Sequence, residues 1–264
     1  MGTGNPAPVG GKRAIINGWS VSAVRRHTRF LYSVDTSQLS GQGYALTLTV
    51  RDLPESADEW AKAREAWIDR LRRLPGFIRL HWLTEWQKRG VPHMHCAAYF
   101  EDPLPSKDLP TLLWTMVCEN RGWTAAGASQ DSKPIDGATG WLKYLSKHAA
   151  RGVKHYQRMG KPESWKKSGR LWGKVGDWPV QEPIRAELTR AQGFRFRRLA
   201  KAYVVAQARE KKQWESVSYL RRMFKNSDRV ISQVRGISEW IPDHVFLALV
   251  DLVEDLPENG SEGS

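Results

Sequence analysis

Residues 77–100 read FIRLHWLTEWQKRGVPHMHCAAYF. Two runs rich in aromatic and aliphatic residues, 77–86 and 92–100, flank QKRG at 87–90, a spacing that predicts two antiparallel strands joined by a turn. In a strand, residues i and i+2 share a face. His93, His95, Ala97 and Tyr99 therefore point one way, and Met94, Cys96, Ala98 and Phe100 point the other, into a core. Pairing Trp86 with Pro92 sets Glu85 opposite His93 and Leu83 opposite His95, with facing Cβ atoms about 5 Å apart. Glu85, His93 and His95 then form a two-histidine, one-carboxylate cluster. Such mixed nitrogen and oxygen ligands with open positions suit Mn²⁺ or Mg²⁺ better than structural zinc, which takes four closed ligands. His81 falls on the same face, as a further ligand or a supporting group. Without the glutamate, His-x-His would read more simply as two polar residues on the wet face of a half-buried strand.

Outward from this hairpin the pattern alternates. SVSAVRRHTRFLYSVD, with Ser20 as N-cap, predicts a helix, and GYALTLTV at 43–50 a strand. Residues 56–74 predict an amphipathic helix with Trp60, Ala63, Trp67, Leu71 and Leu74 as its apolar stripe, stopped by Pro75-Gly76. After a loop at 103–110, LPTLLWTMVCENRGW and residues 137–152 predict two more helices. Residues 154–179 read as basic and irregular, and the chain beyond Pro183 as helical. The order β-α-β-β-α-α describes an α+β domain, a small antiparallel sheet backed by helices. The expected organisation is a loose N-terminus over 1–18, the α+β domain over 19–180, a helical C-terminal region over 181–256 and a disordered acidic tail over 257–264.

Composition narrows the partners. The net charge is +13, although Asp251 to Ser264 hold five acids and no Lys or Arg. A balance this basic points to an anionic partner, with nucleic acid foremost. Cys96 and Cys118 are the only cysteines and form no CxxC pair, which argues against a zinc ribbon or a disulfide framework and for a reducing cytoplasm. No apolar run approaches the roughly 18 residues of a membrane span. Gly10-Gly11-Lys12 is followed by Arg13 and lacks the glycine spacing of a phosphate-binding loop, so no ATP site is expected.

Two more features carry chemistry. On a helix over 137–152, Tyr144, Lys147, His148 and Arg151 form one stripe, with Leu142, Leu145 and Ala149 on the adjoining face that would pack on the sheet. Cations around a tyrosine favour phenolate and suit an incoming phosphate. The same stripe would also suit a tyrosine snorkelling on a basic solvated helix. From Trp141 to Lys174 there are ten Lys or Arg against the single acid Glu163, interleaved with Trp141, Tyr156, Trp165 and Trp172. Lys143, Arg151, Lys154, Arg158, Lys166, Lys167 and Arg170 are candidate contacts for a single strand of nucleic acid, whose backbone takes cations and whose bases take aromatic rings. At least two of those aromatics are expected in the core instead. Arg195, Arg197, Arg198 and Lys201 could contact duplex phosphates or simply face solvent. The stripe of Val245, Phe246, Leu249, Leu252 and Val253 reads as packing or oligomerisation.

A strand such as YALTLTV, then PHMHCAAYF preceded by an acidic residue, then a helix with Tyr144-Leu-Ser-Lys147, resembles the ordered motifs of the HUH endonucleases. More narrowly, it resembles the rolling-circle replication initiators of plasmids and single-stranded DNA phages, over about residues 18–180. The resemblance implies a ferredoxin- or RRM-like palm. It implies Glu85, His93 and His95 as ligands of a divalent Mn²⁺ or Mg²⁺, Tyr144 as the nucleophile on single-stranded origin DNA, and Lys147 beside the phosphate. His81 and His148 are candidate supporting groups. The products would be a 5′-phosphotyrosine link and a free 3′-OH that primes synthesis, with rejoining that needs no ATP. Duplex origin DNA, a host helicase and a polymerase are the further partners such an initiator implies. Some members carry two tyrosines four residues apart; here the second position is His148, and Tyr156 is 12 residues on, so a single-tyrosine enzyme is expected. A relaxase would usually place its tyrosine before three histidines. An HUH transposase and a non-catalytic single-strand binding protein on an RRM-like sheet are the alternatives.

Overall fold

The computed structural model describes residues 15–137, 140, 141, 144, 148, 152–182, 184–225 and 241–255. The elements in chain order are α1 (Val21–Ser33), β1 (Gln42–Thr49), α2 (Ala57–Arg72), β2 (Phe77–Trp86), β3 (Pro92–Phe100), α3 (Leu109–Glu119), β4 (Asp131–Ile135), α4 (Tyr156–Met159), β5 (Trp172–Gly176), α5 (Arg190–Glu210), α6 (Trp214–Lys225) and α7 (Asp243–Glu254). Gly137, Gly140, Trp141, Tyr144 and His148 are helical, and Gly152 is not. The strands form one antiparallel sheet in the order β4-β1-β3-β2-β5. The α+β class read from the pattern is what the chain adopts.

Local chemistry sets the element ends. The Ser20 hydroxyl accepts from the Ala23 amide at the start of α1, and that of Ser56 from the Glu59 amide at the start of α2. Asp58 and Glu59 in the first turn of α2, and Arg70 and Arg72 in its last, oppose the helix dipole favourably. The β2–β3 register is the expected one: Trp86 pairs with Pro92, Glu85 with His93 and Leu83 with His95.

Both faces of the central strands are covered. On one face, Leu80, Trp82, Met94, Cys96, Ala98 and Phe100 pack under α2 and α3, against Trp60, Trp67, Leu71, Trp114 and Val117. Burying this many indoles requires partners for their N–H groups. Trp60 donates to Thr84 Oγ1 at 3.1 Å, Trp67 to the Pro110 carbonyl at 2.9 Å and Trp114 to the Thr49 carbonyl at 3.0 Å. On the other face, Ala97 and Tyr99 lie under Phe30 and Leu31 of α1 and under Trp141, Tyr144 and Trp178. Leu83 joins Trp19, Val24, Trp86 and Leu171. Every residue of β3 is buried, so the histidine face is not the wet side of a half-buried strand. Residues after Gly152 and α1 roof it over.

Two strands escape the sequence pattern. β4 reads DSKPI, with Pro134 tolerated because the strand is an edge. β5 reads WGKVG and lies inside the segment expected to be irregular, as does the single-turn α4. Gly173 is needed there: a Cβ at this position would sit 2.8 Å from Trp82 Cζ2, so the bare backbone lets β5 close over the indole. The helix expected over 109–123 stops at Glu119, where Arg121 and Gly122 form a turn. Phe196 and Ala200 of α5 pack with Val250 and Val253 of α7 in a separate cluster, joined by Val245, Phe246 and Leu249. That assigns the α7 stripe to packing within the chain, with Leu252 left half exposed. Among the described residues no helix is long and apolar enough to cross a membrane.

Candidate active site

The β2–β3 hairpin brings Glu85, His93 and His95 together, all buried, with their ligand atoms within 4.8 Å of one another. The Nε2 atoms of His93 and His95 face each other at 3.1 Å, and Glu85 Oε2 lies 3.7 Å from His95 Nε2. Three lone-pair donors converging in a buried space, two imidazole nitrogens and one carboxylate oxygen, form a set that fits a divalent cation. Supporting contacts orient them. Thr47 Oγ1 on the neighbouring strand meets His95 Nδ1 at 3.1 Å, which leaves Nε2 aimed at the cluster. The Gln157 side-chain amide reaches His93 Nε2 at 3.3 Å. Turned by half a rotation, that amide presents its oxygen to the same point.

Glu85 is fully buried, and its charge is matched by Arg158, whose Nε lies 3.0 Å from Oε1. Arg158 also donates through Nη2 to the His148 carbonyl at 3.1 Å and places its guanidinium 4.2 Å from the centre of the Trp19 ring. One carboxylate oxygen is thus held by Arg158 while the other faces the histidines. Arg158 belongs here and not on a DNA-binding surface. Its side chain is inaccessible, because a carboxylate buried in a low-dielectric site needs a partner charge.

Tyr144 lies with Trp141 and His148 on the side of their helical stretch that packs on the sheet, so it is not a snorkelling tyrosine on a wet face. The adjoining Leu142, Leu145 and Ala149 lie outside the described residues, as do Lys143, Lys147 and Arg151. The Tyr144 hydroxyl meets His81 Nδ1 at 3.0 Å, and His81 Nε2 meets His27 Nε2 at 3.1 Å. Burial pushes the His81 imidazole down to about 3. His27 is held well below the usual histidine range by burial first, then by His81 and Arg158. Both rings are therefore neutral near pH 7. His148 stands between the tyrosine and the cluster, its ring 4.6 Å from that of Tyr144 and 4.8 Å from that of His95.

A cleft of about 320 Å³ opens beside β1 and β4, lined by His95, Tyr144, His148, Thr47, Lys133 and Asp131 among others. It gives a ligand simultaneous access to the tyrosine and to a histidine of the cluster. Of the basic candidates, Lys154, Lys166 and Arg170 are exposed. Lys167 pairs with Asp58 at 2.8 Å on the surface. Trp141 and Trp165 are core residues, Trp172 is partly buried and Tyr156 is exposed. Sequence reasoning missed Thr47, Gln157, Arg158 in its buried role, and His27. Thr47 could have been found, since it lies across β1 from His95 once that pairing is known. The others come from α1 and α4, which no strand register relates to the hairpin.

Residues 43–149 match the family described as replication-associated protein ORF2/G2P. A protein of Xylella fastidiosa (strain 9a5c), named as a replication protein, is 46% identical over 261 residues, covering 94% of this chain and 91% of that protein. The replication-associated protein G2P of Pseudomonas phage Pf3 is 43% identical over 244 residues, covering 91% of this chain and 87% of its own length. A second Xylella fastidiosa replication protein, from strain Temecula1, is 46% identical over 253 residues, covering 90% and 95%. No solved structure matches the chain.

Proposed function

The chain belongs to the replication-associated protein ORF2/G2P family, and from that premise we propose that it initiates replication by nicking single-stranded origin DNA through Tyr144 and later rejoining it. The observation that carries the reading is the cleft lined by Tyr144, His148 and His95, the last a member of the Glu85–His93–His95 cluster, with the His148 ring packed against both Tyr144 and His95.

Each part of the chain has a task in this reading. Glu85, His93 and His95 would hold a divalent ion, which polarises a phosphate and neutralises charge that builds on it. Arg158 holds Glu85 in place, and Thr47 fixes the His95 ring. Tyr144 forms a bond to phosphorus as the P–O3′ bond breaks. The 3′-oxygen leaves with the electron pair and takes up a proton, and the phenol proton is released on the cleft side. The 5′-phosphate stays on the tyrosine and the 3′-OH is left to prime synthesis. Attack by a 3′-OH on the phosphotyrosine reverses each bond change, which is why no nucleotide energy source is required. Lys147 is assigned to the phosphate, and Lys154, Lys166 and Arg170 to the strand's backbone.

The test is incubation with end-labelled single-stranded oligonucleotides tiling the replicon, with Mn²⁺ or EDTA, on a denaturing gel. A Mn²⁺-dependent band in which protein is joined to the 5′ end of the cleaved strand, missing from Tyr144→Phe, is expected. Binding without cutting under any divalent ion would favour the non-catalytic single-strand binding protein instead.

A further inference from the structure

The cluster and the tyrosine do not account for His81 and His27. Both imidazoles are fully buried, and among the described residues neither is paired with a carboxylate. They stack on each other, ring centres 5.1 Å apart and planes 13° from parallel, among Phe30, Trp19 and Trp172. A space-filling role would be met at lower cost by apolar side chains, because each buried ring nitrogen must be satisfied. What the pair has instead is a hydrogen-bonded line: His27 Nε2 to His81 Nε2 at 3.1 Å, and His81 Nδ1 to Tyr144 Oη at 3.0 Å.

The direction of that line follows from its far end. His27 Nδ1 is buried with no hydrogen-bond partner among the described residues. A neutral imidazole has one N–H and one bare nitrogen. Orphaned buried N–H groups are rarer than under-satisfied acceptors, so the bare nitrogen of His27 is Nδ1 and its proton is on Nε2. His27 then donates to His81 Nε2, which makes Nε2 of His81 the acceptor and places its proton on Nδ1. His81 therefore donates to Tyr144 Oη, and the phenol's own proton points away from the histidines. An N–H fixed on the oxygen before charge develops there is the arrangement that favours phenolate over phenol.

We infer that His81 is a further catalytic residue of the strand transfer: its Nδ1–H, with the tautomer set by His27, stabilises the Tyr144 oxygen as nucleophile in cleavage and as leaving group in rejoining. The inference rests on the reading of Tyr144 as the nucleophile. Both imidazoles begin and end each transfer neutral. The proton lost by the phenol goes to the cleft, and the departing 3′-oxygen takes one up.

The experiment compares His81→Asn, His81→Gln and His81→Leu in the full-length chain, with thermal melts to confirm folding. Asparagine can place an amide N–H near the Nδ1 position, glutamine near Nε2, and leucine offers none. Single-turnover formation of the protein–DNA adduct is measured on the oligonucleotide that the wild type cuts, and affinity for that oligonucleotide in EDTA is measured by fluorescence anisotropy. Expected is a fall of about 10- to 100-fold in adduct rate for Gln and Leu, the range typical of removing one positioned donor or general acid–base group, with Asn within about 5-fold of wild type. DNA affinity stays within about 2-fold throughout, because the donor acts on the reacting oxygen and not on strand binding. Wild-type rates for Gln and Leu would overturn the inference, as would equal slowing of all three folded variants, which would mean that ring shape alone matters. If Leu does not fold, the Asn–Gln contrast decides. Tyr144→Phe is run alongside: an adduct formed by that variant refutes the nucleophile reading itself, whereas an inactive Tyr144→Phe with wild-type rates at position 81 refutes only the role of His81.

Discussion

Replacing Arg158 with methionine isolates the charge problem at the centre of the site. The substitution keeps much of the aliphatic stem against Trp19 but leaves the fully buried Glu85 without the guanidinium 3.0 Å from Oε1. Removing one partner of a buried ion pair costs about 3–5 kcal/mol, because the remaining charge is less well compensated in a low-dielectric site. For a chain of this size each kcal/mol moves the melting temperature by about 2–4 °C, so the metal-free variant should melt roughly 6–20 °C below wild type. The same carboxylate is a proposed ligand, and a divalent cation would replace the missing positive charge. Mn²⁺ should therefore raise the melting temperature of Arg158→Met more than that of wild type. The double variant Arg158→Met/Glu85→Gln should recover much of the loss in EDTA, since it leaves no ion to compensate. The assay is differential scanning calorimetry of the three proteins with and without Mn²⁺. An Arg158→Met melting temperature within 2 °C of wild type in EDTA, or a double variant as unstable as the single one, would refute the reasoning.

Further outcomes follow from the same geometry. His93→Ala and His95→Ala should each lose the Mn²⁺-induced thermal shift and at least about 100-fold in nicking rate, since a direct ligand matters at least as much as the outer groups whose loss costs about 10- to 100-fold; calorimetric titration and the gel assay check this. The folded His81 titrates near 3 and an unfolded histidine near 6.5, so between these pH values the unfolded chain binds more protons. Stability should then fall as pH drops through that window, with His81 contributing up to about 1.4 kcal/mol per pH unit, and His81→Leu should flatten the pH dependence of urea unfolding by about that amount. Gly173→Ala drives a methyl into the Trp82 indole and should destabilise by about 1–3 kcal/mol in the same assay. Burial pushes the Cys118 thiol up to about 12 and Cys96 higher still, so neither should react with a thiol reagent until the chain is unfolded.

The hairpin was legible because strand pairing is a one-dimensional rule. Once QKRG is placed as the turn, pairing Trp86 with Pro92 carries Glu85 to His93 with no knowledge of the rest. Helices α1 and α2 were legible from their caps and apolar spacing. What escaped depends on contacts between distant segments. β4 and β5 are five-residue edge strands holding proline or glycine, and they exist because β1 and β2 offer them a partner. Arg158 looked like one more surface cation in a basic run; only the fold of residues 152–160 over the hairpin puts it on Glu85. The packing of Tyr144 was less legible because its stripe mixes aromatic and charged positions, and nothing in the spacing says that Trp141, Tyr144 and His148 are buried together. The second histidine pair was invisible for the same reason: His27 is 54 residues from His81, and α1 has no register with β2.

The most direct test of the central claim is to trap the adduct with single-stranded DNA, trim it with nuclease, digest it with trypsin and locate the retained nucleotide by mass spectrometry. Cleavage after Lys143 and Lys147 isolates Tyr144 in the peptide Tyr-Leu-Ser-Lys, and Tyr156 falls in the separate peptide His-Tyr-Gln-Arg. A 5′-phosphonucleotide is expected on the first peptide, formed with Mn²⁺ and abolished by EDTA. A nucleotide on Tyr156, or on any residue other than Tyr144, would contradict the claim.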